Sequence, residues 1–370
     1  MPGERPTVSV IIPAYNAAKT LGTVLESVYA QTLAPLEVVV VDDRSTDDSR
    51  TVAGRFPVVL VESPVNRGVS AARNLGARHS RGEILFYLDS DVALAPDALA
   101  NAVDLLLSDP GTGCVHGIYD PEPLYDDGPV ERYRALHAHF WRRRSVGVVG
   151  TAIFALAAVP RAVFDDVGPF DENLRDSEDV EYSDRLGAAY RIRMTETVVG
   201  RHDDVDRLGP MLSEQFRRSQ LLVPVAAVER RGGGGLKANR PAGALAAALV
   251  PGTVPLALLS PWLLTVPAAC LLWFALVDPG LARFAVRRRG VGFLPWFLLA
   301  HFLVHLALVS GALVGAVRWL VDPGFGPSVR RRKDRTTTGA SAGAPAGTSK
   351  GPSGGSTAGT ARARRRSAGE

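Results

Sequence analysis

The stretch LFYLDSD, residues 85–91, decides how the fold of this chain is interpreted. An apolar run is followed at once by two aspartates, Asp89 and Asp91, with one serine between them. The apolar run predicts a buried strand, and side-chain alternation lets both carboxylates face the same side where that strand ends. Like charges about 4 Å apart repel by roughly 4 kcal/mol at an effective dielectric of 20, so we expect a positive group beside them.

The preceding residues repeat this pattern of a buried strand followed by a helix. Strand-like runs are VSVIIPAY (8–15), EVVVVDD (37–43), PVVLVES (57–63) and EILFYLD (83–89), and helical spacing occurs in 21–28, 49–56 and 68–80. This alternation predicts an α/β fold with a mostly parallel sheet flanked by helices. Such sheets bind ligands at the carboxyl ends of their strands. The acids at those ends, which should share one edge, are Asp42, Asp43, Asp89 and Asp91.

Composition limits the remaining possibilities. The chain has 370 residues, which is enough for one large domain or two smaller ones. Its mean hydropathy of +0.07 is high for a purely soluble protein and suggests membrane segments. The two cysteines, Cys114 and Cys270, lie far apart and predict neither a disulfide framework nor a zinc site. No signal-peptide pattern precedes the first strand, so we expect the N-terminal part to stay in the cytoplasm.

The character of the chain changes after residue 240. Residues 242–277 contain no charged side chain, and residues 291–317 contain none apart from two histidines. A membrane-spanning helix needs about 20 residues, so the first run is long enough for a hairpin turning near Ser260 and Pro261. A buried core hairpin is the alternative, but so long an uninterrupted apolar run disfavours it. We therefore predict a multi-pass protein of the cell membrane with its N-terminal α/β domain in the cytoplasm.

The predicted organisation has three parts. Residues 1–230 form the α/β domain, residues 231–322 the juxtamembrane and transmembrane helices, and residues 323–370 a disordered basic tail. Basic residues favour the cytoplasmic side of a membrane. A cytoplasmic N-terminal part therefore fits the basic residues before the first span, which are Arg230, Arg231, Lys237 and Arg240. A single third span would place the basic tail outside, which conflicts with the same rule. The number of spans and the side of the tail stay open.

Several motifs in sequence order resemble those of the family 2 glycosyltransferases, which have the GT-A (Rossmann-like) fold. They are VSVIIPAYN (8–16), VVVVDDRSTDDS (38–49), NRGVSAARNLG (66–76), LFYLDSD (85–91) and GPFDENLRDSEDVEYSDRLGAAYRI (168–192). The resemblance covers roughly residues 7–205. It implies transfer of a sugar from a UDP- or GDP-linked donor, assisted by Mg²⁺ or Mn²⁺.

The resemblance also implies roles for individual residues. Those implied for nucleotide-sugar binding are Pro13, Ala14, Tyr15, Asp42, Asp43, Asn66, Arg73, Asp89 and Ser90. Asp91 is the first choice as metal ligand, with Asp89 and His202 as further ligands. Oxygen donors at a strand end suit a hard divalent cation, whereas the alternative is a surface turn with two solvated acids. Tyr15 could equally pack in the core, and His202 could be merely structural.

The chemistry of sugar transfer gives a reason for the acids at 178 and 179. A metal can stabilise the leaving diphosphate, and a base must take the proton of the acceptor hydroxyl. The resemblance assigns the base to Asp179, with Glu178 supporting it. The alternative is that Ser177 caps a helix whose first turn favours acids. That alternative explains Glu178 and Glu181 better than Asp179.

The segment EQFRRS (214–219) resembles the Q-x-x-R-W motif of processive synthases in this family through Gln215 and Arg218. Ser219 stands where that motif has tryptophan, so processive polymerisation is not predicted. A basic amphipathic helix at the membrane surface is the favoured interpretation. Such a helix would hold the active site close to a lipid-linked acceptor.

The leading hypothesis is therefore a membrane-anchored, inverting glycosyltransferase. Its expected partners are a nucleotide-sugar donor, a glycan or lipid-linked acceptor such as a cell-envelope polysaccharide, and membrane lipids; we expect no nucleic acid. The alternative is a catalytically silent membrane scaffold that retains the fold. A dinucleotide-binding oxidoreductase lacks support, because the first strand ends in IIPAYN instead of G-x-G-x-x-G.

Overall fold

The first half of the sheet has the predicted strand and helix alternation. The computed structural model describes residues 5–174, 177–224, 239–322 and 324–326. The first elements are β1 (Val8–Ala14), α1 (Leu21–Tyr29), β2 (Glu37–Asp42), α2 (Ser49–Ala53), β3 (Val59–Glu62), α3 (Val69–His79) and β4 (Ile84–Leu88). β1 pairs with β2 and β4, and β2 pairs with β3, all in parallel. β1 and β4 are buried along their whole length because helices cover both faces.

The second half of the sheet is mixed in direction. Its elements are β5 (Val92–Leu94), α4 (Ala98–Ser108), β6 (Thr112–Tyr119), α5 (Pro129–Arg143), β7 (Gly147–Val149), β8 (Leu156–Pro160), α6 (Arg161–Val167), α7 (Glu178–Leu186), β9 (Arg191–His202) and α8 (Leu208–Ser219). The strand order is β3-β2-β1-β4-β8-β6-β9-β5, with β7 beside β9. β8 runs antiparallel to both β4 and β6, whereas β6 and β9 are parallel. The α/β prediction is confirmed: the first half of the sheet is parallel, and β6 and β9 add a parallel pair to the mixed second half.

Apolar helices follow the sheet. They are α9 (Pro241–Thr253), α10 (Thr265–Leu276), α11 (Pro279–Arg289) and α12 (Leu294–Val321). In the described ranges, the helical segments Pro241–Leu258 and Val291–Val321 are long and apolar enough to cross a membrane. A third span results if α10 and α11, bent by 67° relative to each other, form one broken span. Leu258 is 90% exposed and Trp262 83% exposed, which fits a lipid-facing surface near the predicted turn.

Some predictions fall on parts of the chain that the structure does not describe. They are the arginines and lysine of residues 230–237, the boundary between residues 230 and 231, and the tail 323–370 apart from residues 324–326. The proposed division into three parts therefore stays a prediction.

An apolar cluster connects the sheet half of the molecule to the long helix α12. Its members come from α5, α8, α11 and α12, and they include Tyr133, Leu136, Met211, Leu281 and Phe297. The hydroxyl of Tyr133 lies 3.0 Å from Nδ1 of His301, and Nε1 of Trp296 donates to the carbonyl of Pro129 at 3.0 Å. Helix α12 is thereby held against α5, which also lines the site described below.

Helix α8 packs closely on α12 at Gly311 and Gly315, the two glycines of the segment GALVG (311–315). A Cβ atom on Gly315 would overlap the carbonyl oxygen of Gln220, and one on Gly311 would overlap the carbonyl oxygen of Phe216. We therefore expect Gly315→Ala to lower the free energy of unfolding by about 1–3 kcal/mol, as overpacking does. Thermal unfolding of the detergent-solubilised protein would measure this change.

The control for Gly315→Ala is Gly209→Ala in α8, where a Cβ atom would meet nothing within 4 Å. That variant gains only the better helix propensity of alanine, so its thermal unfolding midpoint should stay the same or rise. Equal midpoints for the two variants would contradict the close packing of α8 on α12.

The buried histidine of β6 makes stability depend on pH. His116 is fully buried, and neither ring nitrogen has a hydrogen-bond partner in the part of the chain that is described. Burial, and then the charge of Arg142, lower the pKa of His116 to about 3. The pKa of an unfolded histidine is about 6.5. Below that pH the unfolded chain takes up a proton that the folded chain excludes, so stability is lost as pH falls towards 3.

The free energy of unfolding of the wild type should therefore fall by about 1.4 kcal/mol per pH unit as the pH is lowered from roughly 6 to 4. We expect His116→Leu to remove this pH dependence. Unfolding midpoints measured across this range would compare the slopes of the two proteins. His79→Leu, at the exposed end of α3, should keep the wild-type slope. Identical slopes for wild type and His116→Leu would show that the folded protein protonates this ring.

Candidate active site

A buried arginine joins the two acidic segments that the sequence analysis singled out. Arg73 of α3 is only 2% exposed. Its Nη2 donates to Asp89 Oδ1 at 3.1 Å and its Nη1 to Asp179 Oδ1 at 3.0 Å, while Glu178 Oε1 lies 3.7 Å from Nη1. Burial opposes its charge, but these carboxylates raise the pKa of Arg73 above its usual value. Arg73 is the positive group that the closely spaced acids require.

Two of the carboxyl groups around Arg73, those of Asp89 and Glu178, have pKa values above the usual range. Burial raises the pKa of Asp89; Arg73 opposes this shift, and the charges of Asp91 and Asp179 add to it. Burial, followed by the charge of Asp179, likewise raises the pKa of Glu178. One guanidinium therefore does not neutralise this group fully, and a further cation would be bound favourably.

The position of Asp179 follows from the start of α7. Glu178, Asp179 and Glu181 occupy the first turn, where the helix dipole favours acids. Ser177 precedes the helix with a φ of 69°, but its side chain makes no capping hydrogen bond. Oδ2 of Asp179 accepts from the backbone N–H of Phe154 at 3.3 Å. The capping alternative therefore does not account for the orientation of Asp179, which two donors hold.

Asp91 and His202 lie together because of strand pairing. β5 runs antiparallel to β9, with Val92 opposite His202. His202 Nε2 lies 3.5 Å from Asp91 Oδ2, and its Nδ1 lies 3.5 Å from Asp204 Oδ2. Burial lowers the pKa of His202, but Tyr119, Asp204 and Asp91 raise it above its usual value overall. The ring thus lies between two carboxylates.

The donor set at Asp91 fits a divalent cation. Oδ1 of Asp91 is buried and accepts no hydrogen bond from any described residue. Asp204 faces the other nitrogen of His202, as in a carboxylate–histidine–metal arrangement that fixes the ring and its tautomer. Asp91 thus offers one oxygen without a described partner, and its other oxygen lies beside Nε2 of His202.

Several residues predicted to bind the nucleotide sugar form a second group, at the ends of β1 and β2: Pro13, Ala14, Tyr15, Asp42, Asp43 and Asn66. The carboxylate of Asp43 accepts from the backbone N–H of Arg67 at 2.9 Å, and Asn66 Nδ2 donates to the Asp43 carbonyl at 3.2 Å. One oxygen of Asp42 accepts from the Ser45 N–H at 3.1 Å, whereas its Oδ1 is buried without a described partner. Asp43 thus positions the start of α3, which carries Arg73.

The remaining predicted residues lie on the same sheet edge. Pro13 and Ala14 end β1 and are buried, and Tyr15 beyond them is 53% exposed, so Tyr15 is not a core residue. The carbonyl of Ser90 accepts from the Thr20 hydroxyl at 2.7 Å. These residues lie at the same edge of the sheet as the acids at the ends of β2 and β4.

A cavity of about 990 Å³ contains the metal and catalytic candidates. Of the predicted residues it is lined by Arg73, Asp89, Asp91, Glu178, Asp179 and His202, but not by the second group at the ends of β1 and β2. Gln215 and Arg218 of α8 also line it, and so do Ala244 of α9 and Leu308 of α12. The cavity therefore extends from the acids to the apolar helices.

Several residues of this cavity carry no motif that predicts them from the sequence, namely Tyr119, Arg134, Arg142 and Asp204. Arg134 pairs with Asp204 at 2.9 Å, and the Tyr119 ring stacks on His202 with centroids 4.6 Å apart. Arg134 and Arg142 lie two helical turns apart on one face of α5, a spacing that could have been noticed. Which of the arginines at 142–144 faces inward depends on the neighbouring elements.

A further acidic group lies near the cavity. The ligand atoms of Asp127, Glu131 and Asp203 lie within 4.8 Å of one another. Lys19 Nζ contacts Asp127 at 2.6 Å and Asp203 at 2.9 Å, so an ammonium already supplies positive charge there.

Comparison with known proteins defines the class. The family model described as Glycosyl transferase family 2 matches residues 9–167. Glycosyltransferase AglE of Haloferax volcanii is 32% identical over 62% of this chain and 77% of its own length. Chondroitin synthase of Escherichia coli is 38% identical over 30% of this chain, which spans 17% of that protein.

A solved structure resembles the whole described architecture. It is the mannosyltransferase PcManGT from Pyrobaculum calidifontis in complex with GDP-Man and Mn²⁺, with a TM-score of 0.51 and 28% identity. The similarity covers 87% of this chain and 89% of that one. Fold and site together define a glycosyltransferase with the GT-A fold. The chain belongs to glycosyltransferase family 2.

Proposed function

We propose that this protein is a membrane-anchored, inverting glycosyltransferase that uses a UDP- or GDP-linked sugar. The observation that carries the proposal is the contact of Arg73 with both Asp89 and Asp179 in one cavity. Asp89, which follows β4, and Asp179, in the first turn of α7, thereby contact the same guanidinium. A strand-end acid near the donor and a base near the acceptor are the two groups that the transfer requires.

The proposed cofactor is Mg²⁺ or Mn²⁺. Asp91 would hold it, with Asp89 and His202, and the unpartnered Oδ1 of Asp91 supports this assignment. When bound, a divalent cation stabilises the negative charge that develops on the leaving diphosphate. Asp204 orients the ring of His202, and Arg73 holds Asp89 in place. The complex of the Pyrobaculum mannosyltransferase with GDP-Man and Mn²⁺ supports the same donor chemistry.

Asp179 is the proposed base. Its Oδ1 is bound by Arg73 and its Oδ2 by the N–H of Phe154, so the carboxylate has a fixed orientation in the cavity wall. It would take the proton of an acceptor hydroxyl as the hydroxyl oxygen attacks the anomeric carbon. A single displacement of this kind inverts the configuration of that carbon. An acceptor phosphate would attack with little help from a base, since it is already ionised.

The proposed acceptor is a lipid-linked or polysaccharide glycan of the cell envelope. Support comes from the cavity, whose wall includes side chains of the apolar helices α9 and α12. We propose a multi-pass protein in the cell membrane with the catalytic part, residues 1–230, in the cytoplasm. Residues 231–322 would form the juxtamembrane and membrane-spanning part, and residues 323–370 a basic tail.

A donor screen tests this function. The purified full-length protein in detergent, supplied with Mn²⁺, would be incubated with UDP- and GDP-linked sugars, and release of the nucleoside diphosphate would be measured. We expect release from one donor class. If no donor is bound or turned over, the alternative of a catalytically silent membrane scaffold is favoured instead.

A further inference from the structure

Arg142 is a buried cation on the wall of the active-site cavity. It lies at the end of α5 and is 8% exposed. Its guanidinium lies 3.8 Å from the ring centroid of Tyr119 and 4.8 Å from that of Trp141. Burial lowers the pKa of Arg142, and the contact with Tyr119 and the charge of Asp204 only partly oppose this. Its close neighbours are thus mainly aromatic.

Arg142 differs in this respect from the other arginines that line the cavity. They pair with carboxylates: Arg73 with Asp89 and Asp179, Arg134 with Asp204, Arg218 with Glu214, and Arg240 with Asp278. Within the described ranges, no carboxylate oxygen lies within 4 Å of the Arg142 guanidinium. Burying a charge without a counter-ion costs free energy. A bound anion would supply the missing counter-ion of Arg142 and remove this cost.

The surroundings of Arg142 indicate the kind of ligand. The cavity lined by Arg142 is also lined by Ala244 of α9 and Leu308 of α12, both on segments apolar enough to cross a membrane. A ligand that fills this part of the cavity would carry a negative charge at one end and an apolar chain at the other. Arg142 and His202 both pack against the ring of Tyr119, so a negative group bound at Arg142 would share this aromatic neighbour with the proposed metal ligand His202.

We propose that Arg142 binds the phosphate group of a lipid-linked acceptor, with the apolar part of that acceptor lying along α9 and α12. This proposal rests on the proposed function and specifies its acceptor. A planar guanidinium with several donors recognises phosphate oxygens by charge-assisted hydrogen bonds. Arg142 is then a specificity-determining residue for the acceptor, whereas Arg73 and the acids serve the donor and the base.

Binding of two matched lipids tests the proposal. The full-length protein in detergent would be titrated with phytanyl phosphate and with phytanol, which differ only in the phosphate. We expect the wild type to bind phytanyl phosphate about 10- to 100-fold more tightly, and Arg142→Gln to lose this preference. Arg142→Lys should keep part of it. Phytanyl phosphate should also raise the unfolding midpoint of the wild type but not of Arg142→Gln.

The control is Arg143→Gln, the next residue of α5, whose exposed side chain pairs with Glu196 at 3.2 Å. It should behave as the wild type does. Equal phosphate preference in Arg142→Gln and wild type would overturn the proposal. So would competition by inorganic phosphate as strong as that of the lipid, which would indicate a site for free phosphate.

Donor binding separates this inference from the proposed function. If Arg142→Gln binds the nucleotide sugar more weakly but keeps its lipid preference, Arg142 holds the donor diphosphate and the inference is wrong, while the glycosyltransferase function stands. If the wild type turns over no donor, the proposed function fails, whatever the two lipids show.

Discussion

Asp179→Asn is expected to reduce sugar transfer by about 10²- to 10⁴-fold, the usual contribution of a general base. Asparagine has nearly the same shape, and its one side-chain oxygen can still accept from Arg73, although the 3.3 Å contact with the N–H of Phe154 is lost. The fold and the donor site should therefore persist. The dissociation constant for the nucleotide sugar should change little. Initial rates of transfer, measured alongside equilibrium donor binding, would separate the loss of chemistry from a loss of binding.

The matched control is Asp184→Asn, an exposed acid in the same helix α7. It removes one negative charge without touching Arg73 and should transfer at the wild-type rate. If Asp179→Asn keeps a near-normal rate with a hydroxyl acceptor, the base assignment is wrong. If it loses rate only with a hydroxyl and not with a phosphate acceptor, the role of Asp179 as a base is supported further.

Asp91→Ala is expected to abolish metal-dependent transfer, with a loss of about 10³-fold or more. A bound metal contributes several kcal/mol to stabilising the leaving diphosphate, and each 1.36 kcal/mol corresponds to a factor of ten in rate. Chelation should inactivate the wild type, and added Mn²⁺ should restore it. Asp91→Ala should stay inactive at Mn²⁺ concentrations that saturate the wild type.

Asp104→Asn is the control for this loss. Asp104 is an exposed acid that pairs with Arg5, and it does not line the cavity. Its metal dependence should match that of the wild type. Full activity in chelator, with Asp89 and Asp91 both replaced by asparagine, would refute the metal-assisted mechanism.

Asp89 and Asp179 lie at opposite ends of one charge network. Arg73 is bound to Asp89 on one side and to Asp179 on the other, so a change at either acid alters the charge that the other experiences. We therefore expect the effects of changes at Asp89 and Asp179 to be non-additive, as is usual for residues that share a partner. Asp91, which contacts His202 instead, should be less strongly coupled to Asp179.

Much of the first half of the fold could be predicted because its signals are local. A buried parallel strand is an uninterrupted apolar run, and an amphipathic helix repeats every three or four residues, so β1 to β4 and α1 to α3 were found close to their observed bounds. The antiparallel strands β5, β7 and β8 are short, at three to five residues. Such short runs carry too little periodicity to be predicted.

The acids of the site were predictable for a similar reason. Asp89 and Asp91 directly follow a strand, and Glu178 and Asp179 begin a helix, so each position is set by its own element. Tyr119, Asp204 and Arg142 reach the site only because β6, β9 and α5 meet there. Residues far apart in sequence give no local signal of such a meeting.

The class of fold, the sheet edge that carries the acids and the apolar helices that follow can all be derived from the order of the residues. Packing of the elements is what makes Arg73 the counter-ion joining Asp89 to Asp179, and what leaves Arg142 at the cavity with no carboxylate partner among the described residues. The physical reason is that secondary structure depends on the order of neighbouring residues. Charge pairing depends instead on distances between side chains, which exist only once the elements have packed.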